Sequence, residues 1–228
     1  MNKTLFAGFI CIWLISLHIS EADAAGLIDN LYDNYGLEVA GFEELAGGVR
    51  LQSDGEEKQI SIFDARIRLE ATREIGEALL NFKGDLLADG VTETIELQLR
   101  ELNLIASPLD NMDIKLGRAV FTWGTGDLLF INDTFAKDWQ SFFIGRDEEY
   151  LKYPGNGIKI SFFSDFANLD LIYSPLFEGS RFISGERLSY YNAGAEKIVG
   201  RNLQVTTNEP NRWFKDDELH GRLSKNIH

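Results

Sequence analysis

The feature that most constrains this chain is a repeat of two. From Phe63 to Thr72 the odd positions are Phe63, Ala65, Ile67, Leu69 and Ala71, while the even ones are Asp64, Arg66, Arg68, Glu70 and Thr72. Successive side chains of a β-strand point to opposite faces, so this run places one face among apolar groups and the other among charges. The same alternation extends from Leu37 to Leu51, where only Glu43 breaks the apolar side. It sets Leu80, Phe82, Leu86 and Ala88 against Asn81, Lys83, Asp85 and Asp89, and then Ile95, Leu97 and Leu99 against Glu96, Gln98 and Arg100. After Arg100 the parity inverts, with Leu102 and Leu104 apolar, which predicts a β-bulge at that point. A fifth segment, Met112 to Phe121, alternates as far as Gly117 and breaks at Arg118; weaker ones centre on Ile158 to Phe162, Leu169 to Tyr173 and Leu219 to Ile227. A helical period shows only around Leu27 to Tyr35.

Length separates two all-β readings. Strands of soluble sandwiches usually run about 5 to 6 residues, whereas a tilted strand crossing a bilayer needs about 9 to 11. The first five segments fit the longer figure, and their polar sides carry Arg66, Arg68, Lys83, Asp85, Glu96, Arg100, Asp113 and Lys115. So many charges on one side suit a water-filled lumen. The connections alternate in the manner of outer-membrane barrels. Those near Ile75 to Glu77, Pro108 to Asn111 and Asp165 to Asn168 are short, and those near Ser53 to Lys58, Asp89 to Glu93, Thr122 to Asn156 and Ser174 to Asp216 include the two longest. The expectation is an all-β, antiparallel up-and-down transmembrane β-barrel of about eight strands, its apolar positions toward lipid and those eight charged residues lining a pore. The competing expectation is a soluble periplasmic β-barrel or sandwich, with Ile67, Leu69, Leu97 and Leu99 turned inward around an apolar ligand, because alternation alone is symmetric between the two.

The N-terminus carries a secretory signature: Lys3, the apolar run from Leu5 to Leu17, and the small-x-small Ala22-Asp23-Ala24 at which a signal peptidase cuts. Residues 1–24 are therefore expected to be a signal peptide and 25–228 the barrel domain. Cleavage removes Cys11, the sole cysteine, and leaves His220 and His228 as the only histidines, which excludes a thiolate site and a multi-histidine zinc centre. The full chain has 22 basic and 36 acidic residues; removing Lys3, Glu21 and Asp23 leaves 21 and 34, a net of −13. A surface of that sign repels nucleic acid and anionic headgroups.

Candidate chemistry is sparse. Gly124 to Asp127, Gly-Thr-Gly-Asp, lacks the downstream Gly-Lys-Ser/Thr of a phosphate loop and opens no helix. Asp127, Asn132, Asp133, Asp138 and the Arg146 to Tyr150 run offer oxygens for calcium, yet without the spacing of an EF-hand, and loop solvation is the favoured reading for several of them. Adjacent acids such as Asp147 and Glu148 are poor candidates for the two carboxylates of a glycosidase, and two C-terminal histidines assemble no Ser-His-Asp set. No catalysis, cofactor or metal is expected.

The aromatic run "AVFTWGTGDLLFINDTFAKDW" (Ala119 to Trp139) is the exception to the alternation. Nine aromatic residues lie between Ala119 and Tyr153, and an external loop gains nothing by showing so much apolar area to water. The loop Thr122 to Asn156 is expected to fold inward and narrow the pore, anchored by Phe130, Phe135, Trp139 and Phe142. Trp123, Asp127, Asp133, Asp138, Trp139 and Arg146 are its candidate constriction residues.

The stretch Gly117 to Pro154, "GRAVFTWGTGDLLFINDTFAKDWQSFFIGRDEEYLKYP", together with "GERLSYYN" (Gly185 to Asn192), resembles a family of Gram-negative outer-membrane porin-like barrels related to alginate-export channels. The resemblance implies a barrel in the outer membrane, in contact with its lipid, passing a small polar or sugar-like solute that it does not identify; it leaves the oligomeric state open. The family's barrels are longer than this chain. Eight strands close around an interior filled by side chains, and an apparent strand runs into "RLSKNIH". Residues 25–228 are therefore expected to be the N-terminal half of a wider barrel.

Overall fold

The computed structural model describes residues 21–53, 55–123 and 134–225. Helix α1 (Glu21–Tyr35) leads into β1 (Leu37–Val49), β2 (Ile60–Ile75), β3 (Ala78–Asp89), β4 (Thr94–Leu109) and β5 (Met112–Ala119). A long connection holding α2 (Trp139–Ile144) and a 3-10 turn (Glu148–Tyr150) precedes β6 (Gly155–Phe162) and β7 (Asn168–Ser174). A second contains a small hairpin, β8 (Tyr190–Asn192) with β9 (Lys197–Val199), before β10 (Glu218–Ser224). The eight long strands form one antiparallel sheet in the order β1-β2-β3-β4-β5-β6-β7-β10, each strand beside its predecessor among them. The all-β, up-and-down expectation is therefore borne out in the sheet. Candidate residues Asp127 and Asp133, the anchor Phe130, most of the expected signal peptide and Ile227 lie outside the described residues.

Short and long connections alternate as the sequence requires. Ile75 pairs with Ala78 and Leu109 with Met112, leaving two-residue hairpins at one end of the sheet. The first of these uses Gly76 at φ 64°, a conformation open to glycine at no steric cost. The connections that carry α2 and β8–β9 leave from the opposite end.

The expected bulge is present and has a defined residue. Lys83 pairs with Glu101 and Gly84 with Leu99, so Arg100 is the unpaired extra residue of β4. The inversion keeps Asn103, opposite Asn81, on the charged side and Leu102 on the apolar side.

The sheet has an inverted polarity. Cross-strand registers place Arg66 and Arg68 of β2, Lys83 and Asp85 of β3, and Glu96 of β4 on one face. Lys115, opposite Ile105 and Lys159, and Asp113, opposite Ser161, continue that face across β5 and β6. All the pore-lining candidates thus share a side. Four of the six largest fully buried side chains among the described residues are polar: Arg68, Asn103, Asp85 and Ser141. The other face is apolar and open, with Leu97 85 % and Leu219 75 % exposed and Leu45, Leu69, Leu99, Leu116 and Leu223 also exposed. Apolar packing is confined to small clusters, chiefly Ala119, Phe121 and Ile172 with Trp123 and Phe135 against them.

Gly117 lets β5 lie close to β4. Its φ is 126°, and a Cβ there would meet the Leu102 carbonyl oxygen at 2.3 Å. Gly117→Ala is expected to lower the unfolding free energy by about 2 kcal/mol, the scale of one strained backbone position, as read by urea unfolding followed through tryptophan fluorescence.

Candidate functional site

Charge buried on one face of a sheet must be paired, since an isolated ion out of water costs several kcal/mol. The pairing here is dense. Asp85, fully buried, accepts from Arg66 Nη1 at 2.7 Å, from Arg68 Nε at 2.6 Å and from Arg68 Nη2 at 2.8 Å. Its position opposite Arg68 in the β2–β3 register makes this a cross-strand arrangement set by the alternation itself. Lys83 Nζ lies 3.1 Å from Glu70, and Glu96 accepts from Gln98 at 2.6 Å.

The long loop between β5 and β6 closes over this cluster. Tyr150 places its ring against three guanidinium groups, with Arg66, Arg100 and Arg68 carbons 3.9, 4.9 and 5.1 Å from the ring centre. Burial pushes the Tyr150 hydroxyl above its usual range despite the cations beside it, so the ring meets them as a neutral phenol. Glu149 forms an ion pair with Arg68, and Arg100 Nη2 donates to the Glu149 carbonyl at 2.8 Å and the Lys152 carbonyl at 3.3 Å. The bulge that frees Arg100 from the β4 ladder is what directs it to the loop.

A second knot lies four residues along β2 and β3 from the Arg68–Asp85 pair. Asp64 and Asp89 face each other across β2 and β3, a like-charge pair that is destabilising unless cations intervene. Two arginines from different loops supply them. Arg146 Nη2 donates to Asp64 at 2.7 Å, and Arg187, from the Gly185 to Asn192 stretch, pairs with Asp89 and donates from Nη1 to the Ser61 carbonyl at 3.2 Å. Asp89 Oδ1 also accepts from the backbone of Val91 at 2.8 Å, which shapes the β3–β4 connection.

The remaining loop candidates have structural partners. Asp138 caps α2, accepting from Ser141 N at 2.9 Å, and pairs with Arg181 at 3.3 Å. Trp139 stacks edge-on against Phe142 at 6.0 Å, and its backbone N–H donates to Arg181 O at 2.9 Å. Trp123 packs against Phe135 at 5.1 Å, and its carbonyl accepts from Arg222. Phe142 is half-exposed on α2, while Phe135 packs against the wall cluster. Asp113, exposed near the short-turn end, accepts from Ser107, and half-buried Lys115 faces Lys159 across the register.

The arrangement thus joins Arg66, Arg68, Asp85, Arg100 and Arg146, while Lys83 and Glu96 flank them and Asp113 and Lys115 lie further down the same face. Asp64, Asp89, Glu149, Tyr150 and Arg187 are the participants that the candidate set lacked. Asp64 and Asp89 were visible as members of the alternating polar sides, but their loop partners leave no periodic signal. Within the Arg146 to Tyr150 run, weighed as calcium ligands, Asp147 caps the 3-10 turn through Glu149 N and Glu149 pairs with Arg68. No group of three metal-ligating side chains occurs among the described residues.

No protein-family profile, curated protein or solved structure matches the chain.

The two kinds of pair differ in what they contribute. Asp85→Asn removes the buried counter-charge that Arg66 and Arg68 share, leaving them only the more exposed Glu44 and Glu149, and is expected to cost about 3 kcal/mol. Lys83→Gln opens a half-exposed pair and is expected to cost about 0.5 kcal/mol. Urea unfolding of the two variants beside the parent protein checks the order.

Proposed function

We propose that the chain is a porin-like β-barrel of the outer membrane that passes small polar solutes passively. The observation that carries this reading is the inverted sheet. An apolar face as open as that of Leu45, Leu69, Leu97, Leu116 and Leu219 exceeds what a monomer in water tolerates, and a bilayer accommodates it. The opposite face, with its arginine and carboxylate rows, suits a lumen. The soluble alternative needs Ile67, Leu69, Leu97 and Leu99 in a core; Ile67 packs against Ala65 and Ala88, but the exposure of the three leucines weighs against it.

Closure of the sheet belongs to the same proposal. β1 and β10 end the order with one strand neighbour each, and in hydrocarbon their free N–H and C=O groups would cost several kcal/mol apiece. Pairing of these edges, with each other or with further strands, removes that cost. Selection would then follow from fixed lumen charges, without covalent chemistry. The Arg146 to Lys152 segment, tied to the wall at Asp64 and Arg68, is the narrowing element.

Recovery in the outer-membrane fraction, resistant to carbonate wash, is the expected result of cell fractionation; recovery from the periplasm without detergent would overturn the reading. In planar bilayers, the Arg146→Ala/Glu149→Ala double variant releases the loop and is expected to raise single-channel conductance about twofold. Unchanged conductance and ion selectivity would show that the segment does not narrow a pore.

A further inference from the structure

A pocket of about 240 Å³ lies on the charged face at the loop end of β6, β7 and β10. Its walls are unlike the rest of that face. Five aromatic side chains line it: Phe121, Phe135, Tyr153, Phe177 and Phe182. Gly155 also lines it, with Glu178 and Phe121 beside its backbone.

Two carboxylates complete the lining, and they differ. Glu178 accepts from Arg118 at 3.2 Å and from Asn156 at 3.3 Å, so its charge is already answered. Glu218, on β10, has His220 Nε2 at 3.5 Å as its paired basic group, and no arginine or lysine pairs with it among the described residues. Among the described residues no guanidinium or ammonium group lines the pocket itself; Arg181 lies over the Tyr153 ring, 5.5 Å from its centre, so the remaining rings and Glu218 carry the cation-binding character. Aromatic rings present negative faces to a cation, and a carboxylate supplies the counter-charge. Sites of this size fall below the roughly 300 Å³ at which pockets for drug-sized ligands begin.

We propose that this pocket binds a small organic cation of the alkylammonium type, held by the aromatic walls and by Glu218. The inference goes beyond the channel reading and does not depend on it, because a soluble protein with this pocket would bind the same ligand.

Titration calorimetry on the purified full chain in detergent, at constant ionic strength, tests it with choline chloride and with 3,3-dimethylbutan-1-ol, the neutral carbon isostere of choline. Choline is expected to bind, with the isostere at least about tenfold weaker, because only the cation gains the ring and carboxylate attraction. Glu218→Gln is expected to weaken choline binding about tenfold, and Phe177→Ala, at a half-exposed loop position, about fivefold. No choline binding, equal binding of the isostere, or undiminished binding by both variants would overturn the proposal. The comparison of the two ligands on the parent chain stands even if a variant fails to fold.

Discussion

The fold depends on neutralising charge that the β2–β3 register brings together. Arg68 stands opposite Asp85, and Asp64 stands opposite Asp89, all four buried within the charged face where the loop residues cover it. The first pairing is self-sufficient within the sheet. The second is repulsive within the sheet and becomes stable only when Arg146 and Arg187 arrive from the two long connections. The loops are therefore part of the folded unit and not ornaments on it. The same constraint explains why apolar clusters are few: the interior of this sheet is organised by directed hydrogen bonds, which specify geometry more sharply than they add stability.

That ionic interior also orders the loop chemistry. Tyr150 and Glu149 sit in one short 3-10 turn, so a single local structure delivers an aromatic face to three guanidinium groups and a carboxylate to Arg68. Asp138 and Arg181 tie α2 to the segment before β8, while Lys137 and Gln140 add hydrogen bonds to Ser180 and Phe182. The two long connections thus brace each other as well as the wall.

The strands were legible because alternation is a local, repeated signal. Every one of the eight long strands has its counterpart in the sequence pattern, and even the Arg100 bulge shows as an inversion of parity between Arg100 and Leu102. The packing of Phe121, Trp123 and Phe135 was legible from the cost of exposing such rings, whereas Phe142, expected as an anchor, and Phe143 remain exposed on α2. The role of each loop residue was not legible. Asp138 reads equally well as a pore charge or a helix cap, and only the backbone around Ser141 decides in favour of the cap. Arg187 and the β8–β9 hairpin gave no signal because a three-residue strand is too short to show a period, and a pair such as Arg187 with Asp89, formed between distant parts of the chain, leaves no trace in local spacing.

The central claim is that the apolar face meets lipid while the charged face meets water. Cys11 is the sole cysteine of the chain, so in a Cys11→Ser background single cysteines at positions 95 to 99 of β4 can carry nitroxide labels without interference. In lipid vesicles, labels at Ile95, Leu97 and Leu99 are expected to be relaxed strongly by oxygen and weakly by a water-soluble nickel chelate, with Glu96 and Gln98 showing the reverse or protection from both. Strong nickel accessibility at Leu97, without the two-residue alternation in oxygen accessibility, would contradict the account.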